Sequence, residues 1–283
     1  MEIRNYLIKL GKTNQNIYIH GITSLVSEIL EMLKLKISIS DLSKELSVHK
    51  SLIYKWKKST PISIRNFIYL CKRLSNTKYI DEAYKIMSGF SSRNGKIIQL
   101  PRRLNNKLAY LIGVIIGDGG ITTERATITI SSKDLRVIKT IVDNTFNVES
   151  KIINYRNYSV LSFTSIPIKQ FLMYVFDLPE GKKKNNIRVP KIIKDAPLLL
   201  QINFIRGLYD SDGSLSMRKD GRRTLAIKQS TKILLKDVLD ILNKANIKAK
   251  IYPDRTMNSW ALAMFNNQEI EKLLKLFDNA AVV

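Results

Sequence analysis

Two aspartates, Asp118 and Asp212, stand in matching contexts that could do chemistry. Each closes an apolar run and is followed by glycine, in "LAYLIGVIIGDGG" (108–120) and "FIRGLYDSDGSL" (204–215). Helical spacing puts each carboxylate at the C-terminal end of its helix, where the macrodipole is already negative, so the placement is unfavourable unless a cation is bound. The following glycine, Gly119 or Gly213, is expected to stop the helix with a left-handed turn. Small residues recur four apart, Gly113 with Gly117 and Gly207 with Ser211, and give each helix a face that another backbone can approach closely. If those faces meet, the two aspartates emerge side by side. Adjacent carboxylates with no basic partner in the motif call for a divalent metal. For one copy alone, a buried helix ending in a glycine turn is the simpler reading, and the repeat is what favours a site.

The elements that must position these residues also repeat. The first unit reads helix (105–117), strands around "ATITIS", helix "LRVIKTIVDNTF", strands "KIINYR" and "YSVLSF", and helix "IKQFLMYVF". The second reads helix "LLLQINFIRGLYD", strands "GSLSMRK" and "TLAIKQS", helix "KILLKDVLDILNKA", strands "IKAKIYP" and "SWALAMF", and helix "NQEIEKLLKLF". The expected fold is therefore α+β, a pseudo-twofold duplicated αββαββα domain over 101–283, with halves at about 101–180 and 195–283. Strand alternation leaves Thr127, Thr129 and Ser131 in one half and Thr224, Lys228 and Ser230 in the other on a polar face. Arg222 and Arg223 in the hairpin "RKDGRR", with Lys248 and Lys250, extend it as candidate contacts to nucleic acid. A merely solvated sheet face is the alternative.

Ahead of this lies a smaller helical region. Residues 1–20 alternate apolar and polar around "GKTNQN" and suggest an extension or small hairpin. From residue 21 to 88 the period is helical, with four short helices, and "SGFSSRNGK" marks a linker within 89–100. The second and third helices are joined by "SVH", a helix-turn-helix arrangement that would present His49, Lys50, Ser51, Tyr54 and Lys55 to DNA. "DLSKELSVHKSLIYKWKKSTPIS" resembles the repressor-like helix-turn-helix domains. A bundle with a solvated lysine face is the plainer alternative. His20 and His49 have no partners at ligand spacing and are not expected to bind metal.

Composition narrows the partner. The 283 residues carry 47 Lys and Arg against 24 Asp and Glu, a net charge of +23, which points to a polyanion and most simply to nucleic acid phosphates. A Lys- and Asn-rich coding bias would give the same count. No continuous amphipathic stripe favours a membrane surface. Cys71 is the only cysteine, which excludes an internal disulfide and a cysteine-built zinc site. "MEIRNYLIKLGK" has charges where a signal peptide needs an apolar centre, and no apolar run is long enough to span a bilayer, so a cytoplasmic protein is expected.

The paired motifs "LIGVIIGDG" (111–119) and "IRGLYDSDG" (205–213) resemble those of two-motif LAGLIDADG homing endonucleases, of the dodecapeptide type also found inside inteins. "IIQLPRRLNNKLAY" resembles their usual lead-in, and the resemblance covers about 97–278. It implies motif helices at the interface, two four-stranded sheets as a saddle over double-stranded DNA, and a monomer with internal pseudo-twofold symmetry. It also implies that Asp118 and Asp212 hold catalytic Mg²⁺, for which Mn²⁺ would substitute, with help from the backbone carbonyls of Gly117 and Ser211. Two departures stand out. Ile116 occupies the position of Asp210, and in "GKKKNNIRVP" the place where the intein branch often has a lysine is Ile187. Arg188 or Lys184 is the expected substitute for that charge, with a solvated loop that steers DNA as the alternative for "KKK". No Cys, Ser or Thr heads the chain and no His-Asn pair ends it, so a free-standing protein is expected rather than an intein. The leading function is site-specific DNA cleavage. A DNA-binding regulator on an inactive scaffold and a maturase acting on intron RNA are the alternatives.

Overall fold

The computed structural model describes residues 1–3, 6–13, 15–124, 126–131, 134–181, 183, 187–217, 219–254 and 259–279. The chain divides into two compact units, one taking in Arg4–Leu100 with Ser165–Tyr174, the other Met1–Ile3, Pro101–Thr164 and Val175–Val283.

The first unit contains α1 (Tyr6–Gly11), β1 (Tyr18–His20), α2 (Thr23–Lys34), α3 (Ile39–Glu45), α4 (Lys50–Trp56), β2 (Ile62–Ser63), α5 (Ile64–Arg73), α6 (Lys78–Ile86) and β3 (Gly89–Ser91). The hairpin expected within 1–20 is absent among the described residues. Tyr6, Leu7 and Leu10 are buried at helical spacing on α1, and "IYIH" pairs instead with two distant partners, in the antiparallel order β2-β1-β3. Side chains begin the helices where chemistry allows. Ser38 accepts from the Asp41 amide and Ser63 from the Asn66 amide, each satisfying one of the donors that a helix start leaves open. The turn from α3 to α4 passes through Ser47 at φ 52°, the two helices are in contact, and Leu42, Ile53 and Trp56 are buried.

The second unit holds the repeat. Its first half comprises α7 (Asn106–Asp118), β4 (Gly119–Ile121), β5 (Thr127–Ile130), α8 (Leu135–Phe146), β6 (Lys151–Asn154) and β7 (Ser159–Thr164), followed by α9 (Ile166–Phe176). The connecting stretch carries α10 (Lys191–Lys194). The second half comprises α11 (Leu198–Asp212), β8 (Gly213–Met217), β9 (Arg223–Gln229), α12 (Lys232–Lys244), β10 (Lys250–Asp254), β11 (Ser259–Met264) and α13 (Asn267–Asn279). The sheets are antiparallel and share one topology, β4-β5-β7-β6 and β8-β9-β11-β10. Isoleucines and leucines on α8 and α12 cover one face of each sheet. One element departs from the duplicated reading: α9, assigned from sequence to the first half, groups as far as Tyr174 with the N-terminal unit, where the Phe171 ring meets Tyr6 edge-on at 5.4 Å.

The two halves meet through α7 and α11. A Cβ built on Gly113 would stand 2.1 Å from the Phe204 carbonyl oxygen, and one on Gly207 would stand 2.1 Å from that of Tyr110. At Gly117 it would meet the Ser211 Cβ at 2.4 Å. Backbone therefore lies on backbone along this seam, and the Ser211 hydroxyl turns back on the Gly207 carbonyl at 3.0 Å. The glycines after the aspartates act differently from expectation. Gly119 and Gly213 have φ of −90° and −89°, which is extended backbone and not a left-handed turn. Glycine is required there by crowding: a Cβ would come within 2.6 Å of the Ile115 Cα in one case and 2.2 Å of the Tyr209 ring in the other.

Gly113→Ala places a methyl group against immobile backbone, and overpacking of that kind costs about 1–3 kcal/mol. A lowered melting temperature of the full chain is expected; an unchanged one would show that the two helix backbones are not in contact at this position.

Candidate functional site

The close seam brings the ends of both motif helices together. Burial and the neighbouring charge of Asp118 push the Asp212 carboxyl up to about 6, while the Lys183 ammonium and a hydrogen bond from Gln229 pull the other way. A Cβ built on Gly117, the residue before Asp118, would stand 2.9 Å from the Asp212 Oδ2, so the second carboxylate lies against the end of the first motif helix. Gln229 ends β9 and donates its side-chain amide to the Asp212 Oδ2.

Lys183 supplies the positive charge that sequence reading placed elsewhere. Its Nζ donates to the Ile116 carbonyl at 2.6 Å and to the Gly117 carbonyl, the last turn of α7, where helix carbonyls lack intrahelical partners. Burial of the ammonium lowers its pKa, and the charges of Asp212 and Asp118 oppose that shift. Its segment is pinned nearby by the Gly181 amide, which donates to the Ile121 carbonyl at 2.7 Å.

The residues of the connecting stretch named from sequence fall in different places. Ile187 is buried and lines, together with Lys183, a small cavity beside Gly119 and Gly120, so the position three residues before Pro190 serves as an apolar plug. Arg188, expected to replace the missing lysine, is paired with Asp237 in this structure. Its Nε and Nη2 donate to the Asp237 carboxylate at 3.3 and 3.2 Å, which also accepts from the Val189 amide and pairs with Lys194 at 2.6 Å. Asp237 is almost fully buried, and Arg188 and Lys194 together supply its counter-charge. Lys184 lies outside the described residues. The signal for Lys183 was the "KKK" run itself, in which sequence alone does not distinguish one lysine from the next.

Asp210 has a structural partner too. Tyr110 on the opposite motif helix donates its hydroxyl to the Asp210 Oδ2 at 3.0 Å, Arg206 Nε stands at 3.9 Å, and burial raises the carboxyl's pKa.

The sheet residues divide. Thr127 and Thr129 are partly exposed between the buried Ile128 and Ile130, Ser131 is exposed, and Thr127 bonds Thr164 across the strands at 2.9 Å. In the second half Thr224 is partly exposed, and Lys228 and Ser230 are exposed, with Lys228 paired to Asp254 at 2.9 Å. Arg223 departs from the expected surface: its guanidinium pairs with Glu271 on α13 at 2.6 Å, because odd positions of β9 point to the helix side with Leu225 and Ile227. Arg222 is exposed and pairs within its own turn with Asp220. Lys248 and Lys250 are exposed. In the N-terminal unit His49, Lys50, Ser51, Tyr54 and Lys55 all lie on the exposed side of α4. His49 has a structural task, since its Nδ1 caps the helix by accepting from the Ser51 amide at 3.2 Å.

The oxygens expected from sequence to hold a metal would be the carboxylates of Asp118 and Asp212 with the carbonyls of Gly117 and Ser211. That set suits a hard divalent cation such as Mg²⁺ or Mn²⁺. Among the described residues no group of three or more His, Cys, Asp or Glu side chains gathers to hold an ion, and this site offers two carboxylates.

Residues 107–187 match the family described as the WhiA LAGLIDADG-like domain, and residues 200–277 match the LAGLIDADG-like domain. The chain belongs to the LAGLIDADG family and carries two copies of its domain, one in each half. It is 30% identical over 171 residues to the probable translation initiation factor IF-2 of Thermococcus kodakarensis, and 24% identical over 210 residues to elongation factor 2 of Methanopyrus kandleri. These stretches are 56% and 71% of this chain but only 14% and 16% of the two relatives, so the chain spans about a seventh of their length. Among solved structures it is similar to the homing endonuclease I-DmoI in complex with DNA and Mn, at 23% identity and a TM-score of 0.47, covering 62% of this chain and 97% of that one. It is also similar to the N-terminal LAGLIDADG domain of DUF199/WhiA, at 18% identity and a TM-score of 0.43, covering 60% and 81%. No helix among the described residues is long and apolar enough to cross a membrane.

The raised Asp212 pKa has a thermodynamic consequence. The native state holds that proton more tightly than the unfolded chain, so its contribution to stability is full in acid and is lost as pH rises from about 4 to about 6. In the metal-free protein, the melting temperature of Asp212→Asn should not share that decline. Parallel curves for the two proteins across this window would contradict the placement of Asp212 beside Asp118.

Proposed function

We propose that this protein is a site-specific endonuclease that cuts both strands of duplex DNA at the paired ends of α7 and α11. The observation that carries the reading is the convergence of Asp118 and Asp212 on a seam too tight for any side chain larger than glycine at Gly113 and Gly207. A protein that only bound DNA would gain nothing from holding two like charges together in partial burial. One divalent-metal site per strand matches two phosphodiester bonds to be hydrolysed.

A divalent ion held by Asp118, Asp212 and the carbonyls of Gly117 and Ser211 would supply activation of water and stabilisation of the leaving 3′ oxygen. The chain's own groups do the rest. Gln229 fixes the rotamer of Asp212 by donating to it, and Lys183 provides a cation at the end of α7 for a scissile phosphate. Thr127, Thr129 and Ser131 in one sheet, with Thr224, Lys228 and Ser230 in the other, offer hydroxyls and an ammonium to base edges and phosphates in the major groove. The exposed Lys50, Tyr54 and Lys55 of α4 add a second DNA contact as a helix-turn-helix, and tethering two binding modules raises affinity through effective concentration. The protein acts as a monomer, since both catalytic aspartates come from one chain.

Cleavage of a genomic or randomised duplex library with Mg²⁺, and with Ca²⁺ as the binding control, tests the assignment. Discrete breaks are expected with Mg²⁺. Asp118→Asn and Asp212→Asn should each abolish cleavage of one strand or both, with binding nearly intact; full activity in the double variant would remove the metal assignment. Sequence-specific retention without breaks would make the protein a binder, and preference for A-form RNA over duplex DNA would make it a maturase.

Charge reversal at Lys50 and Lys55 should weaken duplex binding and flatten its salt dependence, because two phosphate contacts are lost. Identical salt slopes for the double Lys→Glu variant and the parent would take α4 off the DNA.

A further inference from the structure

The two motif ends are not equivalent in what they touch. At the first, the Lys183 ammonium sits on the consecutive carbonyls of Ile116 and Gly117, within the fields of both aspartates. At the second, among the described residues, no lysine or arginine donates to the Ser211 carbonyl, and Asp212 is met by the neutral amide of Gln229. A protonated amine is thus placed at the Gly117 oxygen, one of the oxygens that the metal assignment needs. Oxygen ligands to Mg²⁺ stand at about 2.0–2.1 Å, closer than an ammonium donor, and two cations sharing one carbonyl at such range repel.

We propose that Lys183 is the resident counter-ion of the metal-free aspartate pair, and that a divalent ion takes the Gly117 side of the site only by displacing it. The inference rests on the metal-dependent reading of the same site. It gives the two ion positions unequal affinity: the Ser211 side fills against no amine among the described residues, and the Gly117 side fills against an amine supplied by the chain itself. It also gives Lys183 a defined origin as a positioning group. The amine is stored beside the carboxylates and becomes available to a phosphate when the ion arrives.

The test uses the full chain without DNA. Mn²⁺ binding is followed by the electron paramagnetic resonance signal of the free ion, and the reactivity of the Lys183 amine is followed by reductive methylation and mass spectrometry with and without Ca²⁺. The parent should show two classes of Mn²⁺ site. In Lys183→Met the weaker class should tighten by roughly tenfold, the scale of one lost ionic competitor, whereas Lys183→Arg should keep the parental pattern. In the parent, Ca²⁺ should raise the methylation rate of Lys183, a readout that needs no variant to fold. Unchanged or weaker Mn²⁺ binding in Lys183→Met, or methylation indifferent to Ca²⁺, overturns the displacement. Asp118→Asn and Asp212→Asn separate the two levels of the argument. If they lose Mn²⁺ while Lys183→Met changes nothing, only the counter-ion role fails; if they bind Mn²⁺ as the parent does, the metal-dependent reading fails with it.

Discussion

The rest of the second unit depends on the contact of two helix backbones. With carbonyl oxygens of one helix standing where side chains would begin on the other, Gly113 and Gly207 leave no room for even a methyl group. That proximity brings two carboxylates from distant parts of the chain together without any loop having to hold them. It also fixes where the sheets start, because each strand after a motif begins at the residue following its aspartate. Groups placed at the ends of paired helices are held more precisely than groups on loops.

Electrostatics in this strongly basic chain run against its overall sign at the centre. Asp118 and Asp212 form a negative point inside a positively charged protein, and the connecting stretch between the halves distributes the compensation. Lys183 serves the motif end, while Arg188 and Lys194 serve Asp237. Two charged clusters a few residues apart in sequence therefore have separate tasks, one at the site and one that anchors the connection to α12. Exchange of a single lysine or arginine in this stretch is consequently not a uniform change of charge.

Much of this was legible in the sequence. The repeated order of helices and strands, the apolar motif helices and the pairing of Asp118 with Asp212 could be read because periodicity and repetition are local and count twice. What failed was conformation decided by distant neighbours. Gly119 and Gly213 were assigned a left-handed turn, yet their need for glycine comes from a helix turn packed above them. "NYLIKL" fits a strand as well as a helix at that length, and only burial of Tyr6, Leu7 and Leu10 on one side decides between them. Lys183 was missed because a run of three lysines has no periodicity, and Gln229 because a glutamine at a strand end carries no pattern. Arg223 was placed on the wrong face because its hairpin was read as a charge cluster, whereas strand parity sends it to Glu271.

One pair across the seam breaks the twofold in a way that cannot be undone by half. Tyr110 gives its hydroxyl to Asp210, while the positions related to them by the repeat are Phe204 and Ile116. A dimer of two second halves would confront each Asp210 with a phenyl ring, leaving two half-buried carboxyls with only Arg206 of their own helix beside them. A dimer of two first halves would leave two tyrosine hydroxyls facing isoleucine. Either homodimer would lose the hydrogen bond that the two halves make together. Recombining halves between relatives would keep this contact only where Tyr110 and Asp210 travel as a matched set.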